Sequence, residues 1–443
     1  MHRLRLVTIL LILWVLFIIY GTTIPFDFRF NAATAAHGWA HAQLRVFGFT
    51  GPHHLSRTDL FSNVLLFVPL GFLIFLSARR RALSRPASLI SALICGLALS
   101  AGVETLQLFS PLRTTSASDL FTNTVGAGCG AVAGWFWDLW GKRYALPFYE
   151  REAEHHPYRL LAMTAILAWL LAGALPFNFS LDVDDLKRAV KGARLIPFAG
   201  TFLGAAVAPR PLAWLADLAR FSLLGGFLAW ASEHEGFPRT STARVALAVA
   251  ASSLTALAVE LGQLAVVGRG TDLTVVVLAC AGSLLGAAWM QRRPSERGAA
   301  LAGLTVWLLV LLAEGLAPFS WSLPRSEDWE WHRWLPFFPY FQRLGFAALA
   351  DFLRETGMGV PLGLLSFGLW PRLSPRRAAL SFFLVGLCVE AAQLFLPART
   401  ADLTDAISLG LGAAMGVFLA RLLASRAKAP GTASQTSASS VKI

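Results

Sequence analysis

Apolar residues along this chain are grouped into runs long enough to cross the hydrocarbon core of a membrane. Each run has about 18–22 residues, and at 1.5 Å per helical residue that length spans a bilayer. Short polar pieces separate the runs, so the pattern predicts twelve transmembrane helices. The predicted spans are 4–21, 60–77, 87–109, 119–140, 160–175, 213–231, 243–266, 272–290, 299–316, 347–369, 378–396 and 405–424.

The spans form three sets of four, because one residue spacing occurs three times without a gap. It reads Glu-x2-Gln-x5-Arg-x12-Gly-x3-Gly and falls on the third and fourth spans of each set. Self-similarity of this kind is typical of tandem repeats. The three copies run from Glu104 to Gly130, from Glu260 to Gly286 and from Glu390 to Gly416.

The predicted fold class is an all-α polytopic integral membrane protein, built as three parallel four-helix repeats. The repeats are expected to be parallel because each has an even number of spans. Their predicted boundaries are 1–141, 142–297 and 298–425. Residues 426–443 are rich in Ala, Ser, Thr and Lys and are predicted to be a disordered cytoplasmic tail.

Composition supports the membrane assignment. The 443 residues are 56% hydrophobic and 14% charged, which lies outside the range of soluble domains. The net charge of +12 follows from the bias of Lys and Arg toward cytoplasmic loops and anionic headgroups. No nucleic-acid-binding motif accompanies that charge, so membrane lipids are the expected partners and nucleic acid is not.

The distribution of basic residues predicts the orientation. The loops on the side of the N-terminus carry clusters of arginine, whereas each short loop after a third span carries a single one. Both termini are therefore predicted to be cytoplasmic. The clustered arginines are Arg79, Arg80, Arg81 and Arg85, then Arg372, Arg376 and Arg377, and the single ones are Arg113, Arg269 and Arg399.

The sequence indicates neither a cofactor nor a metal. It contains no phosphate-binding loop, no HExxH zinc motif and no Gly-x-Ser-x-Gly elbow. Four histidines share one outer loop, but no Asp or Cys completes a ligand spacing there. The cysteines lie inside apolar runs and are expected to be small buried residues without disulfides. The histidines are His37, His41, His53 and His54, and the cysteines are Cys95, Cys129, Cys280 and Cys388.

Polar residues at the outer ends of the helices are the candidate chemistry. Glu104 is predicted to lie roughly 7–8 Å below the interface, and Gln107 shares its helix face. A carboxylate at that depth needs a partner, and Arg113 in the following loop is the natural one. Asp119 and Asn123 then open the fourth span, ahead of a Gly-x3-Gly face that favours close helix packing.

The second span of each set contributes further polar positions. In the first set these are Asp59 and Asn63, ahead of Phe-x-Pro-Leu-Gly, and the third set repeats them as Asp351 and Glu355. The second set is degraded, and we expect it to be a scaffold. There Asp217 aligns with the first acidic position, while three apolar residues replace later polar ones: Phe221, Val275 and Ala279.

The order of these elements resembles the VanZ-like family of membrane proteins. It runs Pro-Phe, Asp-x3-Asn-x3-Phe-x-Pro-Leu-Gly, Glu-x2-Gln, Arg and Asp-x3-Asn-Thr-x-Gly, and it is most complete over about 25–134. The resemblance implies a bacterial cytoplasmic (inner) membrane protein of the cell envelope. It also implies a link to glycopeptide (teicoplanin) resistance, since the family takes its name from that trait.

Three function classes stay open. The first is binding or transport of a polar, phosphorylated or lipid-linked envelope component in an outer pocket, with arginine as the charged clamp. The second is a membrane-embedded enzyme with Glu104 and Asp119 as acid and base. The third is a scaffold, in which Asp59 and Asp119 cap helices. The candidate binding residues are Asp59, Asn63, Glu104, Gln107, Arg113, Asp119, Asn123, Asp351, Glu390, Gln393, Arg399, Asp402 and Asp405.

Overall fold

The structure is a computed structural model of the chain. It describes residues 2–24, 26–42, 57–111, 113–175, 180, 182–198, 211–266, 269–323, 334–338 and 346–427. Three sequence features fall wholly or largely outside these ranges, so their predictions stay predictions. They are His53 and His54, the aromatic segment 329–340 and the tail after residue 427.

Long helices dominate the described residues. In chain order they are α1 (His2–Thr23), α2 (Ala32–Ala40), α3 (Arg57–Arg80), α4 (Arg85–Gln107), α5 (Ala117–Phe136), a π-helix (Trp137–Ala145), α6 (Leu146–His155), α7 (Pro157–Ala174), α8 (Val183–Gly192), α9 (Pro211–His234), α10 (Ser241–Gln263), α11 (Thr274–Gln291), α12 (Glu296–Leu316), α13 (Phe346–Leu369), α14 (Pro375–Gln393) and α15 (Leu403–Ala427).

Every predicted span falls on one of these helices, with ends that agree to about four residues. Within the described ranges, nine helices are long and apolar enough to cross a membrane. The predicted spans outside that group are α5, α13 and α14, which carry many of the candidate polar residues. The prediction of an all-α multi-pass membrane protein is therefore confirmed.

The four spans of a repeat are α1, α3, α4 and α5 in the first, α7, α9, α10 and α11 in the second, and α12 to α15 in the third. The third span of each repeat begins at a hydroxyl cap, whose oxygen accepts a backbone N–H and satisfies a free donor of the first turn. The caps are Ser84, Thr240 and Ser374. The first span of each repeat ends just before the Pro-Phe pair.

The Gly-x3-Gly face of each fourth span packs directly on the second span. A Cβ atom on Gly130 would lie 1.9 Å from the Val68 carbonyl oxygen, so only glycine allows this approach. The predicted packing role of the motif follows from that distance. The equivalent contacts are Gly286 with the Ser222 oxygen at 1.8 Å and Gly416 with the Val360 oxygen at 2.1 Å.

The same contacts set the register of the second spans. The first glycine of each pair faces the carbonyl of Val64, Leu218 or Thr356. The polar residue just before that carbonyl is Asn63, Asp217 or Glu355. Asp217 therefore corresponds to Asn63, and its predicted alignment with Asp59 is wrong. Gly225 takes the place of Gly71, so close helix contact is retained although the Pro-Leu-Gly sequence is lost.

By internal contacts the chain divides into two compact units. The first comprises Met1–Phe148 and Trp331–Ala348, and the second comprises Tyr149–Glu330 and Leu349–Ile443. The first repeat thus lies in the first unit. The second repeat and most of the third lie in the second unit.

The four cysteines are exposed, so the expectation that they are buried is wrong. They lie on predicted spans, where an apolar run does not distinguish the face toward lipid from the face toward other helices. Since lipid and protein interior are similarly apolar, sequence hydrophobicity alone could not reveal the error.

Asp138 in the π-helix is surrounded by three cations. Its side chain is 4% exposed and lies 2.6 Å from Lys142, 2.9 Å from Arg85 and 3.1 Å from Arg79. Burial by itself raises the pKa of the Asp138 carboxyl. Hydrogen bonds from Lys142 and Arg85, together with the cationic charges, outweigh burial and lower that pKa to about 2.

This cluster makes stability depend on pH. The Asp138 carboxyl has a lower pKa in the folded protein than in the unfolded chain. The ionised Asp138 carboxyl therefore makes its full contribution to the free energy of unfolding above about pH 4. That contribution is lost as the pH falls toward 2. We expect Asp138→Asn to lower the free energy of unfolding by roughly 1–3 kcal/mol at pH 7. Thermal unfolding in detergent should show this difference shrinking between pH 4 and pH 2.

Asp184→Asn is the control for that experiment, because Asp184 is exposed and its partner Lys187 is 3.9 Å away. It should leave the melting temperature unchanged at every pH. A pH-independent difference between wild type and Asp138→Asn would contradict the prediction.

Candidate functional site

The glutamate of each repeat accepts a backbone hydrogen bond at the start of the fourth span. In the first repeat, Glu104 Oε2 accepts from the Ser116 N–H at 2.8 Å. Glu104 is buried there, so the carboxyl group satisfies a donor that water does not reach. The equivalent bonds are Asp272 N–H to Glu260 at 2.7 Å and Asp402 N–H to Glu390 at 2.7 Å.

The glutamine of the motif reaches back to the first span. Gln107 Nε2 donates to the Thr22 carbonyl at 3.2 Å, and Gln393 Nε2 donates to the Gly315 carbonyl at 3.1 Å. Both acceptors lie in the last turn of a helix, where carbonyls lack intrahelical partners. The glutamine therefore joins the C-terminal end of the first span to the third span.

The arginine of the motif also binds backbone. Arg113 donates from Nε at 3.2 Å and from Nη2 at 2.7 Å to the Ile24 carbonyl, just after α1. Burial lowers the pKa of this guanidinium, although an arginine remains protonated at physiological pH. The equivalent bonds are Arg269 to the Leu175 carbonyl at 3.1 Å and Arg399 to the Ala317 carbonyl at 2.8 Å.

The predicted ion pair between Glu104 and Arg113 is therefore wrong. Each side chain has a backbone partner, and the two form no salt bridge among the described residues. The reason is that helix ends and loops meet here, and their unpaired N–H and C=O groups compete for both side chains. Glutamate, glutamine and arginine together act as a polar staple that joins the first, third and fourth spans.

Beyond the polar staple, the first repeat holds a second polar group. Asn63 Nδ2 donates to Asp119 Oδ1 at 2.8 Å, which links α3 to α5. Asn123 Nδ2 donates to the Ser100 hydroxyl at 2.9 Å, which links α5 to α4. The Asn123 side chain is 4% exposed, and its Oδ1 has no partner in the described structure. We call Asn63, Ser100, Asp119 and Asn123 the amide cluster.

The buried hydroxyl of Ser116 likewise has no partner among the described residues. Ser116 is also the residue whose backbone N–H binds Glu104. Two buried polar atoms without a partner among the described residues are thus found at this end of the first repeat. Such atoms destabilise the fold unless water or a ligand binds them.

For the candidate residue Asp59, only its position in the first turn of α3 is described.

The other repeats differ at the equivalent positions. In the second, Val275 and Ala279 replace Asp119 and Asn123, so the amide cluster is absent. Asp272 Oδ1 instead accepts the Thr274 N–H at 2.9 Å.

In the third repeat, Asp402 accepts the Thr404 N–H at 2.8 Å in the same way and so caps α15. Glu355 lies 3.1 Å from Arg354, and that guanidinium interacts electrostatically with Asp351 and Asp405.

The third repeat also has a small depression beside its polar staple. Its lining combines Gln393 and Arg399 with neighbouring loop residues. The remaining lining residues are Ser322, Leu323, Leu394, Leu396, Pro397 and Ala401.

One partly buried group of three charged residues was not among the sequence candidates. Arg220 in α9 lies 3.0 Å from Asp217 and also pairs with Glu314 in α12, so it joins the second repeat to the third. A signal for it existed, because an arginine inside an apolar span is rare without an acidic partner. Glu314, near the end of a span, is the partner that sequence spacing could not identify.

Fold and site together define a multi-pass α-helical membrane protein built on a repeated four-helix unit closed by a polar staple. The sequence model of the family described as VanZ/LLP1 matches residues 7–138 and 303–424, more than half of the chain. The chain therefore belongs to the VanZ/LLP1 family. The matched ranges cover the first and third repeats, and the second lies between them. Searches of the curated proteins and of the solved structures find no match.

Proposed function

We propose that this protein binds the polar headgroup of a lipid or lipid-linked envelope component at the outer end of its first repeat. Asn123 carries the proposal, because its carbonyl oxygen is buried and has no partner in the described structure. A bound donor would satisfy that oxygen and remove a cost of roughly 1–3 kcal/mol. The proposed location is the bacterial inner membrane, with both termini in the cytoplasm.

The chemistry of the amide cluster favours a headgroup with hydroxyl or amine donors. Asn123 Oδ1, the Asp119 carboxylate and the Ser116 hydroxyl all accept hydrogen bonds. Arg113 uses Nε and Nη2 on the Ile24 carbonyl, and no hydrogen bond from its Nη1 is found among the described residues, so Nη1 is the nitrogen proposed to bind a phosphate. A phosphorylated, hydroxyl-rich headgroup combines both features. Transport of such a component is an extension of binding that the repeat architecture permits.

The second repeat supports the first in this proposal. It keeps the glutamate and arginine contacts of the polar staple, since Glu260 binds its backbone N–H as Glu104 does and Arg269 binds the Leu175 carbonyl. It lacks the amide cluster. A site formed by the staple alone would occur three times, whereas the amide cluster occurs in the first repeat alone among the described residues. The scaffold alternative assigns all three staples a purely structural role.

The test compares lipids that copurify with wild type and with Asn123→Ala, measured by native mass spectrometry and lipidomics. Alanine already occupies the equivalent position 279, so the variant should fold. We expect occupancy of the specific lipid to fall about tenfold, which corresponds to 1.4 kcal/mol. The melting temperature without added lipid should change little. Asp119→Asn, which keeps an oxygen for Asn63, should weaken binding of a cationic headgroup more than that of a neutral one.

Glu260→Gln is the matched control, because Gln retains an oxygen that accepts the Asp272 N–H in the repeat without an amide cluster. It should keep the wild-type lipid profile. An unchanged profile in Asn123→Ala would overturn the proposal and favour the scaffold. Conversion of the bound lipid to a product, lost in Glu104→Gln, would favour the enzyme alternative. Teicoplanin susceptibility of cells that express each variant tests the proposed link to resistance.

A further inference from the structure

The short helix α8 has an apolar face whose first and last residues are largely exposed. Val183, Leu186 and Val190 form a stripe at helical spacing, and Val183 is 63% exposed and Val190 55%. The charged residues Asp184 and Arg188 lie on the opposite side of the helix. In water this stripe would leave large apolar side chains solvated, which is unfavourable.

Backbone hydrogen bonds attach both ends of α8 to the connection between α10 and α11. Before the helix, the Ser180 N–H donates to the Ala265 carbonyl at 2.9 Å, just after α10. After the helix, the Arg194 N–H donates to the Thr271 carbonyl at 2.9 Å, and the Leu273 N–H donates to the Arg194 carbonyl at 3.0 Å.

Ala265 follows α10, and Thr271 and Leu273 precede α11, so the described residues that hold α8 lie in the turn between two membrane spans. A ten-residue helix about 15 Å long, with both ends fixed to that turn, runs along the membrane surface and does not project from it.

The structure assigns α8 to the membrane–water interface, where its apolar stripe enters the lipid. The occupant is the bilayer and not a second protein, because both ends of α8 are hydrogen-bonded to residues at the ends of two membrane spans, where the interface lies. Leu195 and Ile196 extend the apolar surface after the helix, with 61% and 63% of their areas exposed. Lys187 and Lys191 lie next to the stripe, where their long side chains can reach the headgroups.

The corresponding helix of the first repeat differs. α2 is rich in alanine, and a Cβ atom on Gly38 would lie 2.4 Å from the Leu108 carbonyl oxygen. It therefore packs on the end of α4, where the polar staple lies. The assignment of α8 goes beyond the proposed function, because it concerns a surface of the second repeat and needs no headgroup site in the first.

The experiment places single cysteines on α8 in a chain whose four native cysteines are replaced by alanine. Val190→Cys reports the apolar stripe and Arg188→Cys the opposite side, and each is labelled with an environment-sensitive fluorophore in liposomes of phosphatidylcholine and phosphatidylglycerol. We expect quenching by a shallow spin-labelled lipid to be roughly threefold stronger at position 190 than at 188. A water-soluble quencher should show the reverse order.

Three outcomes decide the proposal. Equal quenching of both labels by the aqueous quencher would place α8 in water and overturn it. A label at position 190 protected from both quenchers, with protection that depends on protein concentration, would reveal a second copy and also overturn it. Under the proposal, Val183→Asp with Leu186→Asp should raise aqueous quenching at position 190 while the melting temperature of the spans is unchanged. Because lipid copurification is not the readout, failure here is distinguishable from failure of the headgroup site.

Discussion

A Gly130→Ala variant will lose most of its folded yield. The new methyl carbon would lie 1.9 Å from the Val68 carbonyl oxygen, a backbone atom that no side-chain rotation can move. The fourth span must separate from the second, and this breaks the closest helix contact of the repeat. We expect destabilisation of about 3 kcal/mol or more. Size-exclusion chromatography of a fluorescent fusion measures yield, and thermal unfolding in detergent measures stability.

Gly102→Ala is the matched control, because a Cβ atom on Gly102 in α4 would meet nothing within 4 Å. It should equal or exceed wild type, since alanine favours the helix. Gly286→Ala and Gly416→Ala should behave like Gly130→Ala, and Gly262→Ala should behave like the control. If Gly130→Ala folded as well as Gly102→Ala, the close packing of α3 and α5 described above would be wrong.

Replacing Arg220 with methionine will also destabilise the protein strongly. Arg220 is the shared partner of Asp217 and Glu314, so its removal leaves two carboxylates within membrane spans without a cation. Breaking a fully buried pair by removal of one partner costs about 3–5 kcal/mol, and this partly buried group should lose somewhat less. Thermal unfolding in detergent, and again after reconstitution into lipid, measures the loss.

Neutralising Arg220, Asp217 and Glu314 together tests whether uncompensated charge causes the loss of stability. Arg220→Met combined with Asp217→Asn and Glu314→Gln removes all three charges and should recover much of the lost stability, because no uncompensated charge remains. Arg188→Met on the exposed side of α8 is the surface control and should change stability by less than about 0.5 kcal/mol. A triple variant as unstable as Arg220→Met would show that packing of the arginine matters more than its charge.

The spans could be predicted from the chain because their requirement is simple. Each needs about 20 apolar residues, and a helix satisfies its own backbone hydrogen bonds wherever that run occurs in lipid. The Gly-x3-Gly face was also readable, since close helix contact tolerates few residue types. Both features depend on residues near one another in sequence.

The partners of Glu104 and Arg113 could not be predicted in the same way. Their spacing suggested an ion pair, yet each binds backbone supplied by another span or by the start of the next one. Which carbonyls and N–H groups lack partners depends on where the helices end and meet. Similarly, the equivalence of Asn63 with Asp217 depends on which residues of the second span contact the glycines of the fourth span. The neighbouring residues in the sequence do not reveal it.

By itself, the sequence determined the membrane class, the approximate ends of the long helices, the threefold occurrence of the Glu-x2-Gln-x5-Arg spacing and the family. These follow from run length, spacing and residue identity. The tertiary structure alone decided that the Glu–Gln–Arg motif is a polar staple and that Asn123 has a buried oxygen without a described partner. It also decided that Arg220 joins two repeats. The physical reason is that hydrogen bonds and ion pairs act over about 3 Å, and only folding brings residues distant in sequence that close.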